Sequence, residues 1–244
     1  MMSRGIFTRD LRAEVLGEAS ELSSRDIPHH HRLDPLCDVK LVFDRIHAPL
    51  IVIKPIQDSQ NAPELLAYFK KAKAIWLYRH YKDVASSNIR KWGHQNGVND
   101  LRPIVENSHD NWRSERVPDR LKDVVRQHYS ESMNPYDAAA LFWYVRNSLF
   151  FELHLDRHPE VTLCKYEELV RNPLREMQQI YEFIGMDFPG RSIIPELHTD
   201  SVGKGTGIDL SPEIDQVCRN LLTSMDQAYA AHRARTIETI RDPL

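Results

Sequence analysis

Four residues, Lys54, Arg79, Ser87 and Lys204, have the types and settings that suit holding a phosphate. Arg79 follows a short apolar run, Ala74, Ile75, Trp76, Leu77 and Tyr78, after which the apolar spacing becomes helical, with Val84, Ala85, Ile89 and Trp92 on one stripe. A cation where a strand gives way to a helix meets free backbone N–H groups and the positive end of the helix dipole, a setting that holds oxyanions. The Arg79 guanidinium offers a planar fork to phosphate oxygens, and Ser87, two turns into the helix, adds a hydroxyl donor. The plainer alternative is an arginine bonded to a carbonyl or to Asp83, with Ser87 on an ordinary helix face. Lys54 ends a second apolar run over 50–53, so two parallel strands would place Lys54 and Arg79 on the same carboxyl edge of a sheet, where open α/β sheets bind ligands. A strand-end lysine with a snorkelling side chain is the competing reading for Lys54. Far downstream, Gly203, Lys204 and Gly205 lie in a Gly-rich stretch over 201–207 whose backbone is suited to approaching a phosphate closely. That stretch is not a Walker A loop, because Lys204 is followed by Gly205 rather than Ser or Thr, and a flexible loop without a ligand is its alternative.

The elements that must position these residues follow from hydrophobic spacing. Strands are expected over 50–53, 74–78 and 161–164, and helices over 7–21, 34–48, 61–71, 118–131, 136–156 and 174–184, with a last one opened by Ser211 and Pro212. The first two strands and the helix over 61–71 make a βαβ unit whose crossover should be right-handed. Asn134 is placed to cap the longest helix with Pro135 at its first position, and Gly185 to close the helix over 174–184. The 93–118 segment, with Gly97, Pro103 and clustered Asn and Asp, reads as a loop-rich insertion. Trp92, His94 and Trp112 read as aromatics packed under that loop, with an acceptor pocket as the alternative. The fold class is α/β, a three-layer arrangement of a parallel sheet with helices on both faces. It forms a single domain over 1–244, with an N-terminal helical segment (1–48) and a C-terminal Gly-rich loop and helix (201–244).

The totals bound the function. At 244 residues the chain can bury a sizeable core. A formal net charge of -3 argues against a general nucleic-acid binder while leaving room for a local basic pocket. Cys37, Cys164 and Cys218 are far apart with no Cys-x-x-Cys pair, which fits a reduced, cytoplasmic protein. No apolar run is long enough to span a membrane, and the charged opening is unlike a signal peptide. The adjacent His29, His30 and His31 read as a solvated loop, and no metal site is expected.

The order of residues from Arg79 to Ser87, Arg-x-x-x-Asp-Val-x-x-Ser, resembles the 3′-phosphate-binding segment of sulfotransferases that use 3′-phosphoadenosine 5′-phosphosulfate. Tyr81 stands where that family usually has Pro. A second stretch, Lys165-Tyr166-Glu167-Glu168-Leu169 and on to Pro173, resembles the family's Tyr-Glu-x-Leu segment, and the long helix resembles that of bacterial members. Gly203-Lys204-Gly205 is similar to the family's Arg-Lys-Gly near its end, with one cation missing. The resemblance implies a P-loop NTPase-like sulfotransferase fold. It implies that Arg79 and Ser87 hold the 3′-phosphate with Gly203, Lys204 and Gly205, that Tyr166 lies near adenine, and that Lys54 faces the transferring sulfuryl group. The reaction would carry that group from the donor to a hydroxyl or amine of a small-molecule or glycan acceptor, without a metal. The family's N-terminal strand and 5′-phosphosulfate loop are not recognisable before Lys54, and a strand edge left open in this way calls for a second copy or another partner to cover it. Two rival readings remain: a non-catalytic nucleotide-binding relative acting as a binding or assembly subunit, and a small-molecule kinase, which the lack of a Walker A or Mg²⁺-binding pattern disfavours.

Overall fold

The computed structural model describes residues 50–54, 57–194 and 199–241, with side chains as far as 233. The helices expected over 7–21 and 34–48 and the three adjacent histidines lie outside the described residues. After a 3-10 turn at Ser59–Asn61 the chain runs through α1 (Ala62–Tyr68), β1 (Ala74–Tyr78), α2 (Tyr81–Trp92), α3 (Asn96–Val105), α4 (Asp119–His128) and α5 (Pro135–Glu152), then β2 (Val161–Lys165), α6 (Tyr166–Arg171), α7 (Pro173–Ile184) and α8 (Pro212–Arg241).

The two strands pair in parallel, from Ala74 opposite Val161 to Tyr78 opposite Lys165, and the connection between them passes through α2 to α5. The expected parallel α/β arrangement is therefore present. Residues 50–54, expected to contribute a strand ending in Lys54, are unpaired, so the βαβ unit built on them does not form among the described residues. The run is only four residues long and is followed by Lys54 and Pro55, whose ring nitrogen has no N–H to give to a ladder. β1 is also less enclosed than a run of five apolar residues suggests. Trp76 packs on α5, its ring 5.7 Å from that of Phe150 and its indole N–H donating to Asn147 at 3.3 Å. On the opposite face Ile75 and Leu77 are 41% and 54% exposed. An unbroken apolar run has no alternation to mark which face is covered.

The centre of the molecule is α5. Asn134 caps it, the side chain accepting from the Tyr136 N–H at 2.8 Å, with Pro135 at its first position. Ala138, Ala139, Ala140, Leu141, Val145, Leu149 and Phe150 are all buried, so the helix is apolar on every side, and α2, α3 and α8 pack around it. The alanines let the neighbours approach closely. A Cβ at Gly97 on α3 would lie 2.6 Å from the Ala139 backbone nitrogen. This explains why the segment read as loop-rich begins with a helix: Gly97 marks a helix–helix contact rather than a turn, and Val98, Leu101 and Ile104 form a buried stripe. Within 93–118, irregular structure is left to 93–95 and to the stretch between Val105 and Asp119. On α8, Ile214, Cys218, Leu221 and Met225 are buried at helical spacing, as the amphipathic pattern requires.

Candidate functional site

The site lies where the two strands end. Tyr78 and Lys165 are register partners, and both reach Asp226 Oδ1 on α8, the Tyr78 hydroxyl at 2.8 Å and the Lys165 ammonium at 2.6 Å. Burial, with the hydrogen bond to Asp226, pushes the Tyr78 hydroxyl far above its ordinary range, so it remains a donor. The next residues, Arg79 and Tyr166, therefore leave the sheet side by side, with the guanidinium 4.9 Å from the ring centroid of Tyr166. The Arg79 carbonyl accepts from the Trp143 indole N–H at 3.0 Å, which ties the strand end to α5. His80 caps α2, its Nδ1 accepting from the Lys82 N–H at 3.2 Å, and its own N–H donates to Glu167 Oε1 at 2.9 Å. Burial lowers the His80 pKa, which favours the neutral ring whose Nδ1 lone pair this cap uses.

The Gly-rich loop folds over this edge. An Arg79 Nη2 donates to the Ser201 carbonyl, and the same nitrogen lies 3.4 Å from Asp83 Oδ2. The Tyr166 hydroxyl and Ser201 Oγ are 2.5 Å apart. Gly203 N–H donates to Asp83 Oδ2 at 2.8 Å and Gly205 N–H to Asp83 Oδ1 at 2.7 Å. Gly203 has φ +80°, a left-handed conformation that favours glycine, and a Cβ on Gly205 would lie 2.3 Å from the Lys82 carbonyl carbon. Arg79, Tyr166, Gly203 and Gly205 thus come together from β1, β2 and a loop far along the chain. Ser87 lies one turn beyond Asp83 on α2, half-buried and without a side-chain hydrogen bond among the described residues. Lys204 is exposed between the two glycines. Lys54 is exposed on unpaired backbone and takes no part in this cluster.

Two of these residues carry more than their sequence setting indicated. Asp83 was legible only as a bland partner for Arg79, yet it holds both loop amides, so these are directed at a carboxylate of the chain itself. Ser201, which accepts from Arg79 through its carbonyl and meets Tyr166 through its hydroxyl, carried no signal of its own. Trp112 is occupied in packing: its ring lies 4.7 Å from the Arg113 guanidinium, 5.1 Å from that of Arg146 and 6.0 Å from the Phe142 ring. Trp92 is 53% exposed beneath the Lys91 ammonium.

Chemically, the cluster is a cation with unused capacity. Arg79 Nε is buried and has no acceptor among the described residues, an arrangement that an oxyanion would complete. Among the described residues no group of His, Cys, Asp and Glu side chains is placed to hold a metal ion, and no helix is long and apolar enough to cross a membrane. No curated protein and no solved structure matches the chain. The model of the sulfotransferase domain matches residues 52–202, and its span takes in β1, the Arg79–Ser87 segment, α5, Tyr166 and Ser201. With more than half of its 244 residues inside that match and a parallel α/β fold consistent with it, the chain belongs to the sulfotransferase domain family.

Proposed function

We propose that the chain transfers a sulfuryl group from 3′-phosphoadenosine 5′-phosphosulfate to a hydroxyl or amine of a small-molecule or glycan acceptor. One observation carries the nucleotide part of this reading: the buried Nε of Arg79, without an acceptor among the described residues, at the carboxyl edge of the parallel strands and beneath a loop that presents Lys204. A 3′-phosphate meets the needs of that nitrogen, with Ser87 supplying a hydroxyl from the same stripe of α2 and Lys204 a second positive charge. Tyr166 stands beside this group, where an adenine would lie. Transfer is in-line, helped mainly by positioning and by stabilising negative charge on the moving group. Lys54, exposed, is the cation this reading assigns to that charge. The reaction needs no metal in this reading, the protein works in the cytoplasm, and a second copy or another partner covers the open edge of β1.

Calorimetry with 3′,5′-adenosine bisphosphate against 5′-AMP tests the nucleotide reading. The bisphosphate should bind more tightly, and Arg79→Ala should abolish the difference; equal binding of the two nucleotides rejects the reading. Because Lys54 lies outside the Arg79 cluster, a nucleotide-binding relative without transferase activity is the second reading. Transfer of labelled sulfate to a panel of acceptors separates the two: binding without transfer selects the second.

A further inference from the structure

Asp83, 4% exposed, lies one helical turn after Arg79, and both of its carboxylate oxygens are committed to the Gly-rich loop. Oδ2 accepts from Gly203 N–H at 2.8 Å and Oδ1 from Gly205 N–H at 2.7 Å, so the two amides flanking Lys204 end on one side chain. The same carboxylate stands 3.4 Å from Arg79 Nη2 and so holds that edge of the guanidinium, while Nε has no acceptor among the described residues. An acidic residue in the first turn of a helix is ordinarily explained by the dipole. Here the oxygens point across to another element. Gly205 fits flush against α2, since a Cβ there would lie 2.3 Å from the Lys82 carbonyl carbon.

We infer that Asp83 is a positioning residue for nucleotide recognition: it bolts the Gly-rich loop to the start of α2, so that Arg79 and Lys204 act as one rigid site for a 3′-phosphate. This rests on the nucleotide reading above. The loop is then not a flap that closes on a ligand. Its backbone is set before binding, and the ordering cost is met in folding rather than in binding.

The test uses the whole chain, unmodified and as Asp83→Asn. Asparagine keeps one acceptor and turns an N–H toward the second amide, so one of the two loop bonds is lost. Affinity for 3′,5′-adenosine bisphosphate should fall about tenfold while that for 5′-AMP changes less than about twofold, a split that general destabilisation does not produce. Hydrogen exchange adds an independent measure, since both the Gly203 and Gly205 amides should be protected in the unmodified, ligand-free chain. If the folded variant keeps the bisphosphate preference of the unmodified chain, the inference fails and the nucleotide reading stands. If the unmodified chain shows no such preference, the nucleotide reading fails and takes the inference with it. Free exchange at the two amides overturns the inference by itself, even if Asp83→Asn does not fold.

Discussion

Arg79 and Tyr166, distant in sequence, are stacked because their neighbours Tyr78 and Lys165 are partners in the parallel ladder, and the guanidinium rests 4.9 Å from the tyrosine ring centroid. The Tyr166 hydroxyl then reaches Ser201 Oγ at 2.5 Å, so the ring both backs the cation and fastens the loop. These two tasks are separable. Tyr166→Phe keeps the ring under Arg79 and loses only the hydroxyl contact, which should cost about 1 kcal/mol of stability. Tyr166→Leu loses the cation–π contact as well, adding about 0.5–1 kcal/mol and weakening bisphosphate binding further. Denaturant titration and calorimetry on the two variants check this ordering. Equal behaviour of Phe and Leu at this position would mean that the ring contributes nothing to holding Arg79.

Gly205 and Gly207 lie in the same loop but in different surroundings. A Cβ on Gly205 runs into the Lys82 backbone, whereas one on Gly207 meets nothing within 4 Å. Gly205→Ala should lift the loop from α2, break its hydrogen bond to Asp83 and cost about 1–3 kcal/mol, as other overpacked sites do. Gly207→Ala should stay within about 0.5 kcal/mol of the unmodified chain. Thermal melting of the two variants side by side distinguishes close backbone approach from a loop that tolerates any residue.

Much of this site was legible in the sequence because its residues sit at element boundaries. Apolar runs of strand length mark where β1 and β2 end, and Arg79 follows from that, whereas Tyr166 was marked by the resemblance of its Tyr-Glu-x-Leu segment. Asn134 and Gly185 announce helix ends through local backbone chemistry, and both are found in those roles. What escaped depends on which elements become neighbours. Gly97 has the composition of a turn, and only the approach of α3 to Ala139 shows that its missing side chain makes room for a helix. The bonds from Asp83 to Gly203 and Gly205 span about half of the chain and leave no local pattern. The run over 50–53 has strand composition, yet pairing needs a partner edge, and that is not a property of four residues.

The His80 cap carries a pH dependence. Its Nδ1 accepts from the Lys82 N–H, so protonation removes the cap. Burial lowers its pKa; Asp83 and Glu167 oppose that effect, while Lys82 and Lys165 reinforce it. A folded-state pKa below the unfolded value means that the unfolded chain binds the extra proton first. The contribution of His80 is therefore complete above its ordinary value of 6.5 and is lost as pH falls below it toward the folded-state value. His80→Asn retains a capping acceptor and cannot titrate. Between about pH 7 and pH 5 the stability of the unmodified chain should decline more steeply than that of the variant. Denaturation midpoints that run parallel over this range would exclude His80 as the source.

Arg146 is the cation of α5, half-buried, and it pins the chain just beyond Lys54. Its Nη2 donates to Ser59 Oγ at 2.5 Å and to Gln60 Oε1 at 2.8 Å, while Nη1 lies 3.4 Å from the Trp112 carbonyl. Burial pulls its pKa down to about 10, which leaves it charged at neutral pH among neutral acceptors. Gln60, fully buried, passes the contact on to Glu115 Oε2 at 2.8 Å. Removing the guanidinium strands these acceptors in the interior, so Arg146→Ala should cost about 3 kcal/mol or more. Arg146→Met refills the volume of the stem without the hydrogen bonds and should recover part of that loss. The segment that follows Lys54 is held by these bonds, so both variants should also slow any sulfuryl transfer to which Lys54 contributes, while leaving the preference for the bisphosphate over 5′-AMP intact. Urea unfolding and paired nucleotide titrations measure the two effects. A variant that loses the bisphosphate preference along with its stability would show that Arg146 supports the Arg79 cluster rather than the segment after Lys54.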